Sequence, residues 1–410
     1  MRFAQSVQVR QPHIIQMKLL YDLNSLRPPR SGIGYYTQHL LEGLFERGDI
    51  EEIGGWVGST YYDRRGVTGL LSGENSLEAG AQFSDGWKAS LLRAARSLPG
   101  VYHGRTVVRR IKSASLRAEC ARRGFIYHET NFVASPYAAP SVVTIHDLSH
   151  RHFPEFHPQA AVDYLDRNLP DTLKQVQKVI AVSEYTRRDA IEVYGLPEEK
   201  VVAIPLGVEP CFRPHRAEEC ESLLTELGLR QRGFILSVCT LQPRKNLTRL
   251  VAAFANLPAD MRNAFPLVLI GAEGWMNSDL LRDIERLVGA KQVILPGYVA
   301  RKSLLKLYSS AAVFAYPSLF EGFGLPVAEA MASGVAVLTS NVTSLPEVTA
   351  GAALEVDPYS VDEIAAGLER LLCDEALRAT LIAKGLARAS ELTWDATVRQ
   401  TVDVYRSLVA

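Results

Sequence analysis

Cysteine is scarce in this 410-residue chain and forms no pattern. The five stand at positions 120, 211, 220, 239 and 373, an odd count with no Cys-x-x-Cys spacing. That argues against a disulfide framework and against a thiolate zinc site, and it points to a reducing, cytoplasmic setting. Long apolar runs are missing as well. None approaches the roughly 20 residues of a membrane span, and the leader "MRFAQSVQVRQPHIIQ" has no apolar core of the kind a secretory signal needs. Net charge is absent, with 45 Lys and Arg against 45 Asp and Glu, so wholesale nucleic-acid binding is not expected. The chain also contains no Asp-x-Asp, which weakens a divalent-metal mechanism, and no metal ligands are assigned.

What is present is a packed globular composition, 47% hydrophobic and 22% charged. Short runs rich in Val and Ile read as strands: "SVVTIHDL", "KVIAVS" and "KVVAIPLGV" in the first half, "GFILSVCTL", "FPLVLIGAEG", "QVILPGYV", "AAVFAYPS" and "VAVLTSN" in the second. Amphipathic stretches such as "NLTRLVAAFANL", "SDLLRDIERLVG" and "RKSLLKLYSSA" lie between the latter. Alternation of nearly all-apolar strands with helices predicts α/β architecture with parallel sheets covered on both faces. A polar, two-proline stretch at 207–224 marks a seam. Two doubly wound, Rossmann-like domains follow, 17–208 and 209–390, with a terminal helical segment, 391–410, lying back across the first.

The most informative stretch is "YPSLFEGFGLPVAEAMASGVAVLTS" from Tyr316. A strand ends, a loop with two glycines follows, and Pro326 suits the start of a helix. Helix N-termini carry unpaired N–H groups and partial positive charge, so they attract anions. Gly322 and Gly324 allow close backbone approach. Ligands of open α/β sheets bind at the carboxyl ends of strands, where this loop falls. Glu321 and Glu329 suit hydroxyl donors instead of phosphate. A ligand with a central diphosphate and a polyol on each side, such as a nucleoside diphosphate sugar, satisfies both demands. The plainer reading makes Glu321 a helix cap and Glu329 a surface residue.

Other candidates converge on the same edge. "TLQPRKN" places Arg244 and Lys245 after the second domain's first strand, suited to phosphate as fork and point charge. In "RPPRSGIGYY", Gly32 and Gly34 precede a helix, either as a loop closing over a phosphate or acceptor or as an ordinary loop and cap. His146 ends a strand in "VTIHDL", with a functional or a structural reading open. His150, His152 and His157 show no defined ligand set and are read as surface residues. The stretch 87–124 holds ten Lys or Arg and one acid, Glu119. It reads either as a solvated helical face or as a basic amphipathic segment on an anionic membrane surface.

Taken together, "FEGFGLPVAEAMASG", "TLQPRKN", "LPGYV", "TIHDL" and "SGIGYY" resemble glycosyltransferase family 4, retaining enzymes of the GT-B fold. The resemblance implies two Rossmann-like domains facing a cleft and metal-independent sugar transfer from a nucleotide sugar. By position it implies that Glu321 contacts the transferred sugar, Glu329 the ribose, and Arg244 and Lys245 the diphosphate. Gly322, Phe323, Gly324 and Leu325 would line sugar and phosphate, Gly297, Tyr298 and Val299 would border the base, Gly32 and Gly34 would close the phosphate side, and His146 would sit beside the reacting carbon. Cys239-Thr240 stands where many members have Gly-Arg, and Tyr35 where close relatives often have Arg. The style of the motifs resembles bacterial mannosyltransferases, so the expected donor is GDP-mannose, with a GDP- or dTDP-deoxyhexose as the alternative. The expected acceptor is a glycan or lipid-linked glycan in polysaccharide assembly, reached from the cytoplasmic face of the membrane. A nucleotide-sugar epimerase and a non-catalytic binder are the rival functions, and no further cofactor is expected.

Overall fold

The structure is a computed structural model and describes residues 16–28, 30–58, 60–72, 114–240, 242–271, 278–297 and 299–409. The described strands form two sheets. The first contains β1 (Met17–Asp22), β2 (Ile50–Val57), β3 (Thr60–Tyr62), β4 (Phe125–Glu129), β5 (Ser141–Ile145), β6 (Lys178–Ala181) and β7 (Val201–Ala203). Their order is β3-β2-β1-β4-β5-β6-β7, and every pair is parallel except β2 with β3. The second contains β8 (Ile235–Val238), β9 (Leu267–Ile270), β10 (Val293–Ile294), β11 (Val313–Tyr316), β12 (Ala336–Ser340) and β13 (Leu354–Val356). It runs β10-β9-β8-β11-β12-β13, all parallel.

Composition explains this. Every residue of β5, β9, β11 and β12 is buried, as expected where helices cover both faces of a parallel sheet. In the second lobe the order reverses between β8 and β11. That reversal opens a crevice at the carboxyl ends of these two strands. The loops leaving them carry Arg244-Lys245 and Glu321–Gly324.

Local chemistry fixes both loops. After β8 the chain makes a short turn, Pro243–Lys245, and Asn246 adopts a left-handed φ of 60°. The Asn246 amide donates to the Pro317 and Pro358 carbonyls at 2.9 and 2.6 Å. The helix Leu247–Asn256 then buries Leu247, Leu250, Val251 and Phe254 along one stripe. After β11, Gly324 takes φ 100° at the start of the helix Leu325–Ala332. A Cβ there would lie 2.6 Å from Leu345 Cδ2, so both conformation and space require glycine.

The last helix, Trp394–Arg406, packs on Gly32–Phe45 of the first lobe. Val398, Val402 and Tyr405 are buried, and apolar side chains of this size contribute about 1.5–3 kcal/mol each when fully buried. A buried polar chain anchors the helix. Tyr405 OH meets Tyr21 OH at 2.5 Å and His128 Nδ1 at 2.6 Å. His128 Nε2 continues to Thr144 Oγ1 at 2.8 Å, and Tyr36 OH is 3.0 Å from the same oxygen. Burial pulls His128 down to about 3, so the ring is neutral. At the seam, Glu209 pairs with Arg301 and lies 3.1 Å from His39.

Of the basic stretch 87–124, residues 87–113 fall outside the described residues. In the remainder, the helix Ala114–Arg122 buries Arg117, while Arg122 pairs with Glu119 and Arg123 with Glu52. Among the described residues no helix is long and apolar enough to cross a membrane.

Candidate active site

A cleft of about 610 Å³ lies between the lobes. The first lobe contributes Ser31, Gly32, His146 and Asp147 to its lining, the second Arg244, Lys245 and Glu321. Gly322, Phe323, Gly324 and Leu325 line it as well. Residues more than 200 positions apart in sequence thus share one space.

Glu321 is the centre of this arrangement. Its side chain is buried, and four donors converge on the carboxylate. Lys245 Nζ, Tyr316 OH and Ser318 Oγ donate to Oε1 at 2.5, 3.0 and 2.7 Å. Arg244 Nη1 donates to Oε2 at 3.2 Å and to the Phe320 carbonyl at 2.6 Å. Burial alone would raise the Glu321 carboxyl, but the adjacent Lys245 and Arg244 hold it below its usual value. Lys245 also donates to Tyr316 OH at 2.8 Å. Among the described residues, the buried Arg244 Nε has no hydrogen-bond partner. The cap reading of Glu321 is therefore corrected. Gly324 occupies the N-cap position, and Glu321 instead clamps two cations beside a helix N-terminus.

His146 enters from the end of β5. Its Nε2 lies 2.8 Å from the Thr130 carbonyl. A carbonyl only accepts, so Nε2 carries the proton and Nδ1 keeps a lone pair. Burial lowers the imidazole further. Its ring packs edge-on against Tyr36, with centroids 5.1 Å apart. Beside it, Asp147 Oδ1 accepts from Ser149 N and Oγ at 2.9 and 2.6 Å. Burial would raise the Asp147 carboxyl, and the Arg244 charge together with Ser149 brings it below its ordinary range.

Not every expected position is part of the cleft's lining. Glu329 is half-buried in the helix Leu325–Ala332 and accepts from Tyr308 OH at 3.0 Å. Burial pushes its carboxyl up to about 7. Gly34 does not line the cleft: a Cβ there would lie 2.5 Å from the Ser25 carbonyl, so its small size serves packing inside the first lobe. Gly297 is exposed with φ 73° and Val299 is half-buried, and neither lines the cleft. Tyr298 falls outside the described residues. His150 is corrected from a surface residue to one only 2% exposed, against the cleft. His152 Nε2 meets Asp189 Oδ1 at 2.7 Å.

Sequence reasoning missed Tyr316, Ser318 and Asp147. Tyr316 ends β11 and Ser318 lies in the loop that follows, five and three residues before Glu321. Hydroxyls that close to a candidate acid are a usable signal. Asp147 is adjacent to His146, and its relation to Arg244 exists only in three dimensions.

The glycosyl transferases group 1 model matches residues 226–388, and the glycosyltransferase family 4 model matches residues 124–211. Among curated relatives, O-antigen chain mannosyltransferase B of Escherichia coli is 33% identical over 392 residues, which is 96% of this chain and 100% of that one. The serotype-specific mannosyltransferase WbdA of Escherichia coli is 32% identical over 58% of this chain and 29% of its own length. Among solved structures, Anabaena HepE in complex with UDP and glucose matches with a TM-score of 0.68 at 19% identity, covering 96% of this chain and 100% of that one. Sucrose-phosphate synthase of Thermosynechococcus elongatus gives 0.68 at 22%, covering 96% and 99%. The structural matches carry the two-lobed GT-B fold. The relative aligned along its entire length carries kinship, and on that ground the chain belongs to glycosyltransferase family 4 and is a glycosyltransferase.

Proposed function

We propose that this enzyme transfers mannose from GDP-mannose to a growing, lipid-linked glycan, with retention of configuration and without a metal. The observation that carries the reading is the meeting of Arg244, Lys245 and Glu321 beside a helix N-terminus in one inter-lobe cleft. The likeness to a mannosyltransferase named for the O-antigen chain supports the sugar and the polysaccharide setting.

The diphosphate would exchange with Glu321 for the two cations. Breaking the sugar–phosphate bond puts negative charge on the departing diphosphate and oxocarbenium character on the sugar. Donors fixed before the reaction stabilise that charge more than they stabilise the ground state. Arg244, Lys245 and the N–H groups at the start of the helix Leu325–Ala332 would supply them. Loss of one such donor costs about 2.7–4 kcal/mol. Glu321 would then hold hydroxyls of the transferred sugar, and the departing phosphate would take the acceptor's proton as attack proceeds from the same face. His146 Nδ1, left as an acceptor, would sit beside that position. Glu329 would hold the ribose. Residues 87–124 would bring the first lobe to the inner leaflet.

A panel of GDP-, UDP- and dTDP-sugars, assayed with and without EDTA on lipid-linked glycan fractions, tests the reading. The expected result is an α-mannosyl product from GDP-mannose in either condition. A β-linked product, turnover only with added metal, or another sugar as the sole donor would overturn the corresponding part.

A further inference from the structure

Besides the contacts at the seam, the lobes meet at one helical turn, and that turn grips the loop bearing Glu321. Ser183 is the N-cap of the helix Glu184–Tyr194 and accepts from Thr186 N at 3.0 Å. Its own hydroxyl donates across the interface to the Gly322 carbonyl at 2.6 Å. Thr186 Oγ1 donates to the same carbonyl at 3.0 Å. Both side chains are buried, at 0% and 1% exposure. The next two N–H groups of this turn, those of Glu184 and Tyr185, donate to Glu347 Oε1 and Oε2 at 2.8 and 3.0 Å. Glu347 belongs to the second lobe, so one carboxylate from across the cleft sits on a helix N-terminus, where an anion is favoured. Gly322 permits the contact, because a Cβ there would lie 1.6 Å from the His146 carbonyl oxygen.

We infer that Ser183 and Thr186 are positioning residues for the donor loop, and that Glu347 latches the lobes in the arrangement that lets them act. A peptide unit is planar and trans, so fixing the Gly322 carbonyl also fixes the Phe323 N–H in the opposite direction. Among the described residues none accepts from the N–H of Gly322 or Phe323. Two hydroxyls from the first lobe therefore set the orientation of the Phe323 N–H in the second, in the loop that holds Glu321. Lobe closure and assembly of the anion-binding backbone become one event. This inference rests on the donor site proposed above.

The test uses the full chain with Thr186→Val, which keeps shape and removes the donor, and Thr186→Ser, which restores it. Steady-state kinetics with GDP-mannose and titration with GDP are measured on both and on wild type. The expected result for Thr186→Val is a kcat lower by about 10- to 100-fold, the scale of a misplaced reacting geometry. GDP affinity should change less, and Thr186→Ser should lie within about twofold of wild type. Equal kcat in all three, or equal loss in both variants, would overturn the inference. Should Thr186→Val not fold, Glu347→Ala takes its place. A kcat about tenfold lower would support the latch, and a wild-type kcat would overturn it. Failure of wild type itself to bind GDP would instead refute the donor site and is read separately.

Discussion

Replacing Glu321 by Ala should make the protein less stable, tighten its hold on GDP, and nearly abolish turnover. The carboxylate accepts from Lys245, Arg244, Tyr316 and Ser318 within 3.2 Å in a buried setting. Its removal leaves two largely buried cations without their counter-charge, and breaking such a pair costs about 3–5 kcal/mol. For a lobe of this size each kcal/mol moves the midpoint by about 2–4 °C, giving a drop of about 6–20 °C. The same cations are then free for a diphosphate. A tenfold gain in GDP affinity would return about 1.4 kcal/mol at saturation, or about 3–6 °C. Thermal melts with and without GDP read both numbers, and turnover with GDP-mannose reads the third. A variant as stable as wild type, or one that GDP stabilises no more than wild type, would refute the shared-cation reasoning.

Further outcomes follow from the same geometry. Burial raises Glu329 to about 7, so its protonated form is favoured in the fold; that contribution to stability is complete below the ordinary carboxylate value near 4.5 and is lost as pH rises through about 7. Ribose hydroxyls donate best to the ionised form, so the KM for donor should fall between about pH 6 and 8, and Glu329→Gln should flatten that profile; an unchanged profile would remove the ribose role. Gly322→Ala forces a Cβ to within 1.6 Å of the His146 carbonyl oxygen, so it should open the lobes, enlarge the scattering radius and lower kcat by more than about tenfold; wild-type activity would contradict the close approach. Tyr405→Phe leaves buried Tyr21 and His128 short of a partner and should cost about 1–3 kcal/mol in denaturant titration, with little change in donor KM.

The strands legible in the sequence were those with unbroken apolar runs. "AAVFAYPS" became β11 and "VAVLTSN" became β12. Those not singled out were interrupted by polar residues or very short. β2 reads "IEEIGGWV", where Glu51, Glu52 and two glycines break the run. β4 reads "FIYHE"; its buried His128 meets the distant hydroxyls of Tyr405 and Thr144, and its buried Glu129 accepts from Tyr127 OH and Asn131 N close by in the chain. β13 has three residues. The site divides in the same way. Arg244, Lys245 and Glu321 were legible because strand ends and a glycine-bearing helix start aim them at one edge. Ser183 holding the Gly322 carbonyl was not, because 139 positions separate them and neither segment carries a local sign of the other. Gly34 misled for a related reason. Glycine before a helix suggests a phosphate turn, while here it makes room for the Ser25 carbonyl.

The central claim is that Arg244 and Lys245 receive a diphosphate in the inter-lobe cleft. Calorimetric titration of guanosine, GMP and GDP into wild type and Lys245→Ala tests it most directly. The account predicts that affinity climbs with each phosphate in wild type and that the variant, titrated at a temperature below its own unfolding, loses most of the gain between GMP and GDP. Equal GDP affinity in the two proteins would contradict it.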